Sequence, residues 1–215
     1  MIHIRNEQPA DYRQVEEITR KAFWNLYIPG ASEHYLVHTM RDHEDYIPEL
    51  SFVIEDDGAI IGSIHFTHAQ VITPSGDQIP VIHMGPVCIT PERHRQGFGR
   101  CLITHAIESA KALGHRAIML GGFSYHYHPY GFIGTKKYHI AMTDGKFYTG
   151  IMALPLYDGT LDGVTGQVKF SDGLYPDESG LEAYEATFPQ MEKQSLPCQK
   201  AFEQAASELD EREYE

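Results

Sequence analysis

Apolar positions along the chain fall first into a short alternating run, then two helical stripes, then alternation again. Ile2 to Arg5 predicts a strand. Pro9 and Asp11 open a helix with Val15, Ile18, Ala22 and Phe23 at three- and four-residue spacing, and Gly30 breaks it. Ser32-Glu33-His34-Tyr35 starts a second helix, Leu36 to about Arg41, which ends before Pro48. Three strands follow as a meander: Leu50 to Glu55, Ala59 to Ile72 and Ile79 to Ile89. Asp57-Gly58 supplies the first tight turn and Pro74-Ser75-Gly76-Asp77 the second.

The period then changes. From Gly97, apolar residues at Phe98, Leu102, Ile103, Ala106, Ile107, Ala110 and Leu113 make a helical stripe, with Gly114 placed to cap it. Ala117 to Gly121 is a wholly apolar run, expected as a strand buried on both faces. Strand, helix and apolar strand in that order describe a βαβ-like crossover. Phe147 to Leu156 predicts a closing strand. Past Tyr157 the pattern weakens to turn dipeptides, a short strand over Gln167 to Phe170 and a surface helix over Gln199 to Glu213. Residues 1–156 therefore read as one domain and residues 157–215 as an extension packed on or appended to it.

Composition narrows the class. No stretch approaches the ~18 apolar residues that span a bilayer, and Met1 to Glu7 lacks a basic segment followed by an apolar run. Cys88, Cys101 and Cys198 form no CxxC pair, so reduced thiols in a cytoplasmic protein are expected. A formal net charge of −13 argues against nucleic acid as a partner, and it favours a cationic small molecule or peptide amine by steering. Much of the excess lies in Glu208, Asp210, Glu211, Glu213 and Glu215 and bears on no pocket. Solubility alone is the readier account of it.

The densest chemistry is Arg93-His94-Arg95-Gln96-Gly97-Phe98-Gly99-Arg100, between a strand and a helix. Gly97 and Gly99 let the backbone turn tightly and approach a ligand. Amides from Arg95 to Arg100 would point outward at the positive end of a helix, where a pyrophosphate binds. Arg95 and Arg100 add charge there.

That run, preceded by Gly85-Pro86-Val87-Cys88-Ile89-Thr90-Pro91-Glu92, resembles the signature of the GNAT N-acetyltransferase superfamily, in its YhbS-like branch. His94 departs from the Arg or Gln usual at its position. Tyr127-His128-Pro129-Tyr130-Gly131-Phe132 resembles the Tyr-x-x-x-Gly-Phe element of the same family, and Met152 to Leu156 resembles the end of the same branch. The resemblance implies an α/β fold: a mixed, mostly antiparallel twisted sheet, helices on both faces, and a V-shaped split between two central parallel strands, those ending at Ile89 and Gly121. It implies acetyl-coenzyme A as co-substrate, with pantetheine bonding to backbone groups of Val87 and Ile89, Cys88 between them, and pyrophosphate on Arg95, Gln96, Gly97, Phe98, Gly99 and Arg100. A primary amine of a small molecule or peptide would attack directly.

Tyr127 stands where the family places the proton donor to the departing thiolate; otherwise it is an aromatic wall. His83, four residues before Val87, is the first choice of base, because imidazole titrates near neutrality. It is either that or a histidine satisfied inside the sheet. Glu33 is the next choice, or an acid complementing a helix dipole. His126 and His128, with His65, His68 or His83, could be read as metal ligands, but no metal-binding motif supports them and no metal is expected. Cys88 reads as a buried thiol and not an acyl-carrying nucleophile. A non-catalytic acyl-coenzyme A-binding regulatory module is the rival reading, and the sequence leaves a homodimer open.

Overall fold

The alternating segments of the first half of the chain pair into one sheet, and the helical stripes cover it. A computed structural model describes residues 1–214. In chain order the elements are β1 (Ile2–Asn6), α1 (Tyr12–Phe23), α2 (Glu33–Met40), β2 (Phe52–Asp56), β3 (Ala59–Ile72), β4 (Gln78–Ile89), α3 (Phe98–Ala112) and β5 (Ala117–Gly121). Then come α4 (Ser124–Tyr127), β6 (Ile133–Gly134), β7 (Ile140–Ala141), β8 (Ile151–Pro155), β9 (Gly166–Lys169), α5 (Leu181–Glu185) and α6 (Pro197–Ser207).

The sheet runs β1-β2-β3-β4-β5-β8-β6, antiparallel except where β5 joins β4 in parallel. β3 is long enough to take two neighbours on one edge: β2 along its first half, and β9 through Val71↔Val168 at its far end. β9 also pairs with β7, so part of the C-terminal segment is woven into the sheet.

Cross-strand partners share a face, and three apolar clusters follow from that, the third around Val71, Val81, Met119 and Val168. Phe52, Ile64, Phe66, Ile82 and Met84 face α3, whose Leu102 and Ala106 are fully buried against them. On the other face α1 and α2 bring Val15, Ile18, Val37 and Met40 onto Val53 and Ile60. At roughly 25 cal/mol per Å² of apolar surface, these stripes drive both helices onto the sheet. The α1 face also buries charge that the apolar pattern does not reveal. Arg41 holds Glu7 at 2.7 Å and Glu16, and Arg20 is clamped by Glu185 of α5.

Two expected boundaries move. The closing strand predicted from Phe147 is β8, Ile151–Pro155, because Tyr148 is held outside it in a bridge to Leu209. The helix predicted to Glu213 ends at Ser207, since Glu208 turns to an extended backbone (φ −70°, ψ 121°). Asp210 then buries its carboxylate on Arg212 at 2.7 Å and Tyr214 at 2.8 Å. Glu215 lies outside the described residues. No helix is long and apolar enough to cross a membrane among those residues.

Candidate active site

β4 and β5 are partners only at Ile82↔Ile118 and His83↔Met119, and beyond that pair they diverge. The V-shaped split opens there, with His83 at its apex. Thr90 donates its amide to Ile61 across the β3 edge at 2.8 Å. Antiparallel pairing alternates, so the amides and carbonyls of Val87 and Ile89 turn the other way, into the split. One of these groups is already engaged: His94 Nε2 lies 2.8 Å from the Ile89 carbonyl. The residue that departs from the family pattern thus ties the loop back to the strand.

After β4 the chain passes Arg93, which pairs with Asp56 at 2.9 Å, and enters α3. Arg95 (φ 59°) and Gly97 (φ 92°) both adopt the left-handed conformation, which turns the chain into the helix. The two glycines do different jobs. Gly97 needs its positive φ, and space for a ligand is open on its Cα. Gly99 has ordinary φ and faces Ile89, 3.7 Å from where a Cβ would sit. Phe98, Gly99 and Arg100 supply the first-turn amides, which have no partner within a helix. Arg95 and Arg100 stand exposed beside them.

On the α1–α2 side of the split lies a cavity of about 350 Å³. All three predicted catalytic residues, Glu33, His83 and Tyr127, line it, together with Val87, Gly121 and Gly122. Glu33 is brought in by the first turn of α2, where its carboxylate accepts from the Ser32 amide at 3.1 Å. Burial raises its pKa above the ordinary carboxylate value. Tyr127 ends α4 with its ring edge-on to Phe132, and burial pushes its phenol up to about 12. Gly122 makes room for it: a Cβ there would lie 2.8 Å from the ring.

His83 is set by a bulge and by burial. Ile64 pairs with Val87 but Phe66 pairs with Met84, so Gly85 and Pro86 together oppose His65. This bulge resets the alternation. His83 therefore shares the α1–α2 face with its partner Thr67, while Val87 shares the α3 face with Ile64. Burial also lowers the imidazole to about 4, well under the value near neutrality that made it the first choice of base. Its Nδ1, Thr67 Oγ1 and His65 Nε2 are buried without protein partners, a polar row behind the cavity.

Cys88 points to the α1 face, 3.5 Å from both Thr19 Oγ1 and Ser63 Oγ, and burial raises its thiol pKa. Such a thiol is a poor nucleophile. No group of three or more His, Cys, Asp or Glu side chains comes together as a metal site among the described residues.

The sequence points to Leu26 to Arg41 and the loops around Thr73 to Pro80 as the segments that shape the acceptor pocket; the first does line the cavity, the second does not, and Leu174 and Phe202 fall outside both. Tyr27 of the α1–α2 loop, Leu174 and Phe202 of α6 also line the cavity. Phe202 stacks on Tyr27 with centroids 3.9 Å apart and planes at 22°. Asn25 anchors that arrangement: its amide donates to the Glu192 carbonyl at 3.0 Å, and its side-chain oxygen accepts from Gly30 and Gln194 at 2.8 and 3.0 Å. A lone Asn 169 positions from its partner carries no local signal.

The fold is shared with solved proteins. The YhbS acetyltransferase of Escherichia coli, in complex with CoA, is 23% identical, with a TM-score of 0.71 over 81% of this chain and 92% of that one. A GNAT acetyltransferase of Brucella melitensis, in complex with acetyl-CoA, is 24% identical, with a TM-score of 0.65 over 80% of this chain and 97% of that one. The ribosomal-protein-S18-alanine N-acetyltransferase of Escherichia coli is 20% identical, with a TM-score of 0.51 over 73% of this chain and 94% of that one. No curated protein matches the sequence. Residues 20–132, more than half of the chain and the span from α1 to Phe132, match the acetyltransferase (GNAT) family. The chain belongs to the GNAT acetyltransferase family.

Proposed function

We propose that the protein transfers the acetyl group of acetyl-CoA to a primary amine within this split. The carrying observation is the two-sided construction: outward amides and arginines at the start of α3 on one side, a cavity holding a carboxylate and a phenol on the other. Pyrophosphate would sit on the amides of Phe98, Gly99 and Arg100 with Arg95 and Arg100 alongside. The pantetheine would run along Val87 and Ile89, continuing the sheet where β5 diverges, so that the thioester reaches Tyr127.

The acceptor arrives as an ammonium and must lose a proton before its nitrogen can attack. Glu33 is the better base, because a carboxylate with a raised pKa holds a proton more firmly than an imidazole lowered to about 4. His83 then forms the apex wall. The neutral nitrogen bonds to the acetyl carbon, and the C–S bond breaks as the tetrahedral intermediate collapses. Tyr127, protonated at neutral pH, donates to the leaving sulfur, and the intermediate's remaining excess proton restores it. Per turnover one amide and one free thiol form, and one proton leaves through Glu33.

Thiol release from acetyl-CoA should depend on added primary amine and yield the acetylated amine in equal amount. Binding of acetyl-CoA with no amine-dependent release would instead mark a regulatory module.

A further inference from the structure

The acceptor side of the cavity is largely aromatic and aliphatic and carries one fixed charge. Phe23, Tyr27, Leu36, Leu174 and Phe202 form its walls, and Glu33 is the only Asp, Glu, Lys or Arg among its lining residues. Its other ionisable side chains are uncharged at neutral pH: burial lowers His83 and His126 and raises Tyr27 and Tyr127. A bound molecule therefore meets one fixed negative charge. A second ammonium, as on a polyamine, would find no second carboxylate among the lining residues. A carboxylate-bearing amine would find no cation at all. The volume, about 350 Å³, is at the small end for ligand pockets.

Two of these walls come from the C-terminal segment. Leu174 follows β9, whereas Phe202 is set by α6, stacked on Tyr27 and edge-on to Phe123 with centroids 5.8 Å apart. The strap and the first turn of α6 are tied down: Trp24 Nε1 donates to the Glu192 carbonyl at 2.9 Å, and Gln199 Nε2 of α6 donates to the Asn25 carbonyl at 3.1 Å. The ring of Phe202 is thus a held surface. The part of the ring left open to the cavity offers an apolar contact to a flat or branched group.

We propose that the acceptor is a primary amine with a single charge and an apolar, ring-sized body, and that Phe202 of the C-terminal segment selects for that body. This rests on the acetyl-transfer reading of the same site. Glu33 takes the ammonium, and the body lies against Leu36 and the cavity-facing side of the stacked Tyr27–Phe202 pair.

The test is initial-rate acetylation by the full chain with 2-phenylethylamine, methylamine, spermidine and a short peptide with a free N-terminus. The expected order places 2-phenylethylamine at least tenfold above the others in kcat/KM. Phe202→Ala should lower that value about tenfold while methylamine stays within twofold, and Phe202→Leu, which keeps an apolar wall, should lose less. Preference for spermidine or the peptide, or an equal loss for every amine in Phe202→Ala, would overturn the proposal. Should no amine be acetylated although acetyl-CoA binds, the transfer reading fails. The acceptor class is then decided by calorimetry in the presence of CoA: tighter binding of 2-phenylethylamine than of spermidine supports it, and the reverse overturns it.

Discussion

On the α3 side of the split, the surface proposed for the co-substrate is made by one continuous run from Val87 to Arg100, and mostly by its backbone. On the α1–α2 side the surface is made by side chains from Phe23, Glu33, His83, Tyr127, Leu174 and Phe202, spread over most of the chain. The first surface presents amides and arginines and can bind the part of a ligand that never changes, a pyrophosphate. The second is aromatic with a single acid, and its shape depends on a C-terminal segment outside the matched family region, residues 20–132. A family can keep its co-substrate with a short local motif while the acceptor wall changes freely. The two sides should therefore fail independently when mutated.

The largest separation is expected at Tyr127. Tyr127→Phe removes only the hydroxyl, so kcat should fall by about 10² to 10⁴, as general acids usually contribute, with acetyl-CoA affinity unchanged. Steady-state rates with calorimetry on the same preparation check this, and kcat within twofold would reduce Tyr127 to a wall.

Next in size is an acid lability centred on the apex. His65 and His83 are held near pKa 4, against about 6.5 in an unfolded chain, so the unfolded state binds more protons between those values. Stability is complete above pH 6.5 and is lost as pH falls toward 4, by up to roughly 3 kcal/mol per histidine. Urea unfolding from pH 7 to 4.5 should show the loss, and His83→Leu should make the curve shallower. An identical slope in that variant would mean that His83 titrates normally.

Asn25→Ala would leave the Gly30 and Gln194 amides without their acceptor and put a Cβ residue without a side-chain acceptor at φ 59°. The expected cost is about 2–3 kcal/mol, with faster proteolysis between residues 186 and 196. Acetyl-CoA affinity should hold, because the strap touches only the acceptor side. Gly122→Ala is the mildest: its methyl displaces the Tyr127 ring, and about tenfold in kcat is expected from misplacement of the donor.

Legibility in the sequence follows the same division. The meander, α3 and β5 were readable because alternation and helical stripes are local, and Gly97 was readable because a glycine at a strand-to-helix junction has few other uses. Glu33, His83 and Tyr127 were each legible as candidates, and the structure brings all three to one cavity, but what surrounds each was not legible. The bulge at Gly85-Pro86 decides which face His83 takes, and burial by distant elements decides its proton affinity. Phe202 and Asn25 gave no signal, since a Phe on an amphipathic helix reads as ordinary packing. The acids after Ser207 read as a continuing helix, because nothing local shows that Asp210 is buried on Arg212.

The most direct test of the two-sided account is a crossed pair of titrations. Acetyl-CoA is titrated calorimetrically into Gly97→Val and Glu33→Gln, and amine-dependent thiol release is measured for both. Gly97→Val places a β-branched residue at φ 92°, and it should weaken acetyl-CoA binding more than tenfold while remaining folded. Glu33→Gln should bind acetyl-CoA as the parent does but lose at least a hundredfold in kcat/KM at neutral pH. In the parent that rate should fall as pH drops through a carboxylate pKa raised above the ordinary value, and the limb should vanish in Glu33→Gln. Unchanged affinity in folded Gly97→Val, or full turnover with the acid limb intact in Glu33→Gln, would contradict the account.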